Sequence, residues 1–448
     1  MKTEEFIDSL YSKKRFGKKC GRDIMKIYTP IFGMPEKGMR IIHVAGTNGK
    51  GSTAAAIEEI LRAAGYSTGL FTSPHLVVFN ERIKFNGCNI PDQDISRIGE
   101  KLMKTEVYKE SSMFDDTLMM ALLYFEKMNP DYVILETGIG GRLDSTSGIC
   151  QVPEVSVITR IGLDHTALLG DTISKIAAEK AGIIKRGTVL VLGENISEAT
   201  DVIKKEAEKS EVPIVYSEDT PIDGYELSLK GTYQSENMKN AVAVIKVLMD
   251  RDRDLWDKKS RESGLSVRNS SAAETRESGL SDRDNRTAAT TKYCMEDFVE
   301  KAIKSGLKNV NWPGRMQYLS KNPVFLIDGS HNPNGVEALR DSLQEMYPNE
   351  KFIFLTSVLS DKDHSEMYEL IYPIADMFFT VTVDNVRAYS GKTLADELQS
   401  KGKEARFFEY TSDAISASME EAKKRDEKLI AFGSLYFIGE ILSCYKKV

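Results

Sequence analysis

Residues His43 to Thr53 (HVAGTNGKGST) set a lysine, three glycines and three hydroxyls between an apolar run, Ile41–Ala45, and the helix-forming AAAIEEILRAAG. Strand, glycine loop and helix in that order wrap a nucleotide triphosphate. The glycines let backbone N–H groups converge on phosphate oxygens, and the helix N-terminus adds a favourable dipole. Gly46, Thr47, Asn48, Gly49 and Gly51 would form the cradle, and Lys50 would reach the terminal phosphates. Ser52 or Thr53 would offer a hydroxyl to Mg²⁺. The spacing departs from the common P-loop: Gly46-x-x-Gly49 precedes the lysine, and Gly51 separates it from the hydroxyl.

Three further clusters carry chemistry. In YVILETGIGGRLD (Tyr132–Asp144) an apolar run ends in Glu136, a carboxylate able to hold Mg²⁺ or orient a water. His165 follows the run Val155–Thr159 and so falls at the carboxyl edge of a sheet, where a second metal could use it. Lys180, in AAEKAGIIK, reads alone as a solvated helix lysine. The third cluster joins Trp312-Pro313-Gly314-Arg315 to Asp328-Gly329-Ser330-His331-Asn332-Pro333. Arg315 offers a fork of donors to a phosphate, Asp328 an acid for a ribose, and His331 a ring to lie against an adenine.

The elements needed to position these residues are α/β in pattern. Apolar runs at Ile41–Ala45, Tyr132–Glu136, Val155–Thr159, Thr188–Leu192 and Val212–Tyr216 alternate with long, partly helical connections. That pattern predicts βαβ units and a mainly parallel sheet. A second series begins near Pro323 with VFLID, KFIFLTSV, MFFTVTV and KLIAFGS. The expected organisation is a P-loop parallel-sheet ATPase domain over 1–305, a hinge at 306–313, and a smaller Rossmann-like α/β domain over 314–448. Within the first domain, 251–291 is charged, Ser-rich and contains RESGLS twice, so it is expected to be a disordered insertion.

Bulk properties exclude some classes. A net charge of −7 argues against nucleic-acid binding, and no apolar stretch is long enough to predict a membrane span. The mixed-charge start MKTEEFIDSLYSKKRFGKK lacks an apolar signal core, so a cytoplasmic protein is expected. Five scattered cysteines show no pairing pattern and read as reduced thiols.

HVAGTNGKGST, SPHL with ERI, LETGIGGRLD, LDH, GDT with EKAGIIK, WPGR, DGSHNP and GSLY occur in that order. Together they resemble the folylpolyglutamate synthase / dihydrofolate synthase family, a branch of the Mur ligases. The resemblance runs from about residue 15 to 445 and lapses over 251–291. It implies that Lys50 and Ser52 serve ATP phosphate and Mg²⁺, and that Glu136 and His165 ligate magnesium. It implies a carbamylated lysine at Lys180, and Asn237 (in GTYQSEN) near the adenine. Arg315, Asp328 and His331 would contact nucleotide from across the hinge. Ser73, Pro74, His75 and Arg82, in SPHLVVFNERI, would face the pterin. Phe114-Asp115 stands where the family usually has Phe-Glu, which leaves that contact open.

The implied reaction is ATP-dependent amide formation between a pteroate or folate carboxylate and L-glutamate, through an acyl phosphate. Lys50, Lys180, His165 and Arg315 would be the catalytic set, with ATP, two Mg²⁺ ions and an open question of K⁺. The expected partners are small molecules, without nucleic acid or membrane, and the expected state is a monomer. Two alternatives share the P-loop. A peptidoglycan Mur ligase would need a separate UDP-binding domain, and a nucleotide-dependent regulatory protein would need a base-recognition NxxD that has no convincing copy here.

Overall fold

The computed structural model describes residues 2–13, 21–262 and 283–445, with the backbone path alone over 283–294. Two sheets organise them. The first has eight strands: β1 (Ile41–Ala45), β2 (Thr68–Phe71), β3 (Ile83–Phe85), β4 (Cys88–Asn89), β5 (Tyr132–Glu136), β6 (Val155–Ile158), β7 (Val189–Leu192) and β8 (Ile214–Tyr216). Their order is β4-β3-β2-β5-β1-β6-β7-β8, parallel from β2 to β8, with β3 and β4 antiparallel at one edge. β1, β5 and β6 are central and buried along their whole length, as expected of strands covered on both faces.

The second sheet runs β13-β12-β11-β14-β10-β9. It contains β9 (Gln317–Lys321), β10 (Val324–Ile327), β11 (Phe352–Thr356), β12 (Ala375–Thr380), β13 (Glu404–Phe407) and β14 (Lys428–Phe432), with only β9 antiparallel. Both sheets are thus the expected parallel α/β type.

The helix Lys50–Ala63 sits in the middle of the first lobe, packed against the helices Thr232–Arg251 and Arg283–Asn309. Its small face, Ala54 to Ala56, lets its neighbours come close. At Gly306 a side chain has no room: a Cβ there would lie 2.6 Å from the Ile60 backbone.

Two expectations change. The first four residues of the expected hinge at 306–313 are helical, as the end of the helix Arg283–Asn309. The expected disordered insertion over 251–291 is mostly helical where it is described, its last residues belonging to the helix Arg283–Asn309. Arg253–Glu262 is helical, and Trp256 is fully buried with its ring 4.8 Å from that of Tyr66. One large ring supplies the burial that the charged sequence conceals. The second RESGLS copy and most of the first lie outside the described residues. Trp256→Ala should destabilise the protein by about 3–5 kcal/mol, the usual cost of emptying a site of that size, read by denaturant unfolding. A loss under about 1 kcal/mol would show that this helix is not part of the core.

Candidate active site

The carboxyl ends of β1, β5 and β6 deliver the P-loop, Glu136 and the Thr159–His165 loop to one edge. The carboxyl ends of β10, β11, β12 and β14 deliver Asp328–Asn332, Ser357–Lys362, Val383–Arg387 and Gly433–Tyr436 to another. The two edges line one cleft of about 1440 Å³. This is where open parallel sheets place their ligands.

The P-loop's shape is forced from outside. Gly46, Gly49 and Gly51 each lie against another element: a Cβ on Gly46 would collide with Thr159, on Gly49 with the Asn237 carboxamide, and on Gly51 with the Trp312 ring at 2.8 Å. Gly49 also holds φ at 87°, a left-handed value that favours glycine. The Thr47 N–H donates to the Arg160 carbonyl at 2.9 Å, and its hydroxyl donates to the Gly162 carbonyl at 3.0 Å. Lys50 donates to the Thr47 carbonyl at 3.2 Å. Ser52 is buried in the first helical turn and still reaches the cleft.

Glu136 accepts the Ser73 N–H at 3.0 Å. Burial pushes its carboxyl above the usual range, against Lys50, that N–H, Arg315 and Arg82, which favour the ionised form. After it, Asp144 ties down the glycine turn by accepting the N–H groups of Gly138 and Ile139, both at 3.0 Å. Lys180 is no solvated lysine. It is buried under the P-loop and donates to the Gly46 carbonyl at 2.7 Å. Burial, reinforced by the Lys50 charge, brings its amine down to about 7.

From the second lobe, Arg315 and His331 reach the cleft. The Asn332 and Asn48 carboxamides pair reciprocally at 3.1 and 3.2 Å, and Asn332 also donates to Asp164 at 3.0 Å. Lys362 donates to the other Asp164 oxygen at 2.6 Å, with both groups nearly buried. Burial opposes the Asp164 charge, yet His331, Lys362 and His165 hold its carboxyl well below the ordinary carboxylate range. His331 is itself brought down to about 4, mainly by burial and then by the Lys362 charge.

On the opposite wall, Arg82 donates through Nε to His75 Nδ1 at 2.7 Å, and His75 Nε2 lies 3.1 Å from the Tyr11 hydroxyl. Because arginine only donates, His75 Nδ1 accepts and Nε2 carries the proton. Burial first, then Arg82, brings His75 down to about 3.

Gly46 to Ser52, Ser73, Pro74, His75, Arg82, Glu136, His165, Lys180, Arg315 and His331 therefore share one cleft, as the sequence reading expects. Thr53, Asn237 and Asp328 do not line it. Thr53 is buried 3.5 Å from the Asn237 carbonyl, and Asn237 itself packs behind Gly49. Asp328 has both oxygens engaged inside the protein, by Tyr233 at 2.7 Å, the Met316 N–H at 2.9 Å and Ser330. That leaves it shaping the Gly314–Ser330 turn region rather than free for the expected ribose. His331 turns Nδ1 to the Gly329 carbonyl and its other nitrogen toward Asp164, so only the face of its ring is left for the expected adenine. Sequence reasoning passes over Lys362, Asn332 and the partnership of Asp164. A lysine between two aspartates in SDKD was the available signal for the first.

Among the described residues, no group of three or more His, Cys, Asp or Glu side chains could hold a metal unaided. The donors present are the Ser52 hydroxyl and the Glu136 carboxylate, hard oxygens beside a phosphate cradle. They fit Mg²⁺, which prefers few protein ligands and completes its shell with phosphate oxygens and water. No described helix is long and apolar enough to cross a membrane.

A P-loop lobe and a second α/β lobe meeting edge to edge around one cleft define an ATP-dependent ligase of the Mur type. Residues 44–247 match the Mur ligase middle domain, and 314–435 match the Mur ligase glutamate ligase domain. The chain is 33% identical to the Bacillus subtilis dihydrofolate synthase/folylpolyglutamate synthase, with 96% of each chain covered. It is 29% identical to the Lacticaseibacillus casei folylpolyglutamate synthase, over 91% of this chain and 90% of that one. An FPGS structure solved as its AMPPCP–folate complex superposes with a TM-score of 0.74 at 26% identity, covering 98% of both chains. The Escherichia coli FolC structure with DHPP and ADP has the same fold, with a TM-score of 0.80 at 23% identity, covering 100% of this chain and 98% of that one. The chain belongs to the dihydrofolate synthase/folylpolyglutamate synthase family.

Gly49→Ala should weaken ADP binding by about tenfold or more, since the new Cβ must displace Asn237 or the loop. Isothermal titration with ADP checks it; an unchanged affinity would show that the loop's glycine does not shape a phosphate site.

Proposed function

We propose that this chain couples ATP cleavage to the joining of L-glutamate, through its α-amine, to a carboxylate of dihydropteroate or a folate. The observation that carries this reading is the arrangement of Lys50, Arg82 and Arg315 around Glu136 in a cleft lined by both carboxyl edges. A substrate carboxylate oxygen attacks the γ-phosphorus, the bond to the β-phosphate oxygen breaks, and ADP leaves. The glutamate amine then attacks the acyl carbon, loses a proton, and expels inorganic phosphate as the amide forms.

In this reading the P-loop N–H groups and Lys50 hold the phosphates, and Arg315 offsets charge on the transferred group. Ser52, Glu136 and His165 would hold divalent ions, which supply further positive charge to the phosphoryl oxygens. Ser73, Pro74, His75 and Arg82 form the wall for the acid substrate. Closing the two lobes keeps the acyl phosphate from water. Two divalent ions, a K⁺ requirement, and action as a cytoplasmic monomer on small molecules belong to the same reading, as does the division into lobes at the link after Asn309.

Lys180 fits the carbamate expectation on physical grounds. CO₂ adds only to a neutral amine, releasing a proton, and burial brings this amine to about 7. Carbamate formation would replace a buried cation beside Lys50 with an anion, relieving their repulsion.

ADP release should depend on both L-glutamate and a pteroate or folate, and Lys50→Ala should abolish it. Coupled assays with dihydropteroate, then with tetrahydrofolate monoglutamate, separate the two synthase activities; ATP hydrolysis indifferent to both acids and to glutamate would end the ligase reading. Lys180→Ala should lose about 100-fold or more in turnover and recover part of it with short carboxylic acids. With the lysine intact, the folded amine is neutral above about pH 7 and protonated below it, so stimulation by bicarbonate should fade as the pH falls through that value. Full activity in the alanine variant would remove the carbamate.

A further inference from the structure

β1 is apolar at Ile41, Ile42, Val44 and Ala45, yet its middle residue is His43, 1% exposed and flanked by Leu135 of β5 and Ser156 of β6. A polar ring in a strand covered on both faces costs free energy unless its nitrogens are used. The reaction described above makes no use of it. Ile42 and Val44 face the core around the helix Lys50–Ala63. His43 and Ile41 therefore take the other face, toward the helices Gly21–Ile31 and Met113–Met128.

On that face His43 Nε2 lies 2.7 Å from Thr146 Oγ1. The Thr146 hydroxyl reaches Asp144 Oδ1 at 2.6 Å, and the Thr146 N–H donates to the same oxygen at 3.0 Å. Asp144 Oδ2 takes the Gly138 and Ile139 N–H groups. With two donors at each oxygen, Asp144 acts as an acceptor, and the Thr146 proton is spent on it. The Thr146 oxygen then accepts from the ring, so His43 carries its proton on Nε2. Burial first, then the Lys185 charge, brings His43 down to about 3, which leaves the ring neutral with that single proton. Donation runs one way, from His43 to Thr146 to Asp144, and Asp144 gathers the two amides.

Those amides begin the turn by which the chain leaves the sheet. The Thr137 N–H still donates to the Val44 carbonyl of β1 at 2.9 Å, and from Gly138 onward Asp144 holds the backbone instead. Gly138, Ile139 and Gly140 line the cleft just after Glu136. Farther along, the Arg142 N–H donates to the Glu179 carbonyl at 2.7 Å, next to Lys180.

We propose that His43 is a positioning residue, setting the Gly138–Ile139 turn, and with it the Glu136 carboxylate, through Thr146 and Asp144. Its part in turnover rests on the ligase reading above. β1 delivers the phosphate loop from its carboxyl end, and its middle residue sets the turn beside that loop, so one strand fixes the spacing between them.

Hydrogen exchange over residues 137–142 of the intact protein, followed by mass spectrometry, tests the line directly. His43→Leu and Thr146→Val should each speed exchange there by about tenfold or more. His43→Gln, whose amide donates from near the place of Nε2, should keep the wild-type rate. In steady-state assays the two disruptive variants should lower kcat by about 10–100-fold. The KM for ATP should change far less, because the phosphate cradle is untouched, and His43→Gln should recover most of the turnover. Wild-type exchange over 137–142 in Thr146→Val overturns the proposal, and so does a loss of turnover in His43→Gln as large as in His43→Leu. If His43→Leu loses protection throughout the first sheet, Thr146→Val, of nearly unchanged shape, decides alone. Absence of glutamate-dependent turnover in wild type would count against the ligase reading, while exchange still decides the role of His43.

Discussion

The phosphate cradle depends on contacts that its own eleven residues do not contain. Three glycines are pressed by Thr159 from the end of β6, Asn237 from the helix Thr232–Arg251, and Trp312 from the link between the lobes. A loop of free backbone N–H groups is entropically expensive to hold open. Here the surrounding elements supply the restraint, so nucleotide meets a preformed surface. Beneath it, Lys180 reaches the Gly46 carbonyl from the opposite side. The loop is wedged from above, behind and below, and every other part of the cleft is placed relative to it.

Much of this was legible because chemistry and topology coincide. β1, β5, β6, β10, β11 and β14 are short apolar runs buried on both faces, and such strands announce themselves in sequence. The residues that end or follow them fall on a carboxyl edge by construction, which is why Lys50, Glu136 and His165 share one cleft; Arg315 joins them from the link between the lobes. β4, β9 and β13 escaped because they are edge strands, and β3 because it spans three residues beside one; all four are short and partly exposed, with no periodicity to read. The helix Arg253–Glu262 escaped for a related reason: Trp256 and Ser260, one turn apart, are its only buried residues, and charge dominates the rest.

Side-chain roles were less legible than side-chain positions. Asp328 stands at a strand end, as an acid for a ribose would, but whether its oxygens are free depends on Tyr233, nearly a hundred residues earlier. Lys180 reads as a surface lysine until the loop above it is known. Lys362 has no motif beyond two flanking aspartates, because its meaning comes from Asp164 in the other lobe. Partnership across lobes leaves no local trace in the chain.

The contacts at Asn48 tie the phosphate loop directly to the second lobe. Its carboxamide is gripped by Asn332, and Asn332 shares Asp164 with Lys362. Parting the lobes strips a nearly dry carboxylate of its cation and unpairs the Asn48 amide on the loop that holds the phosphates. Any opening between the lobes is thereby felt at the phosphate loop itself, through a single chain of hydrogen bonds.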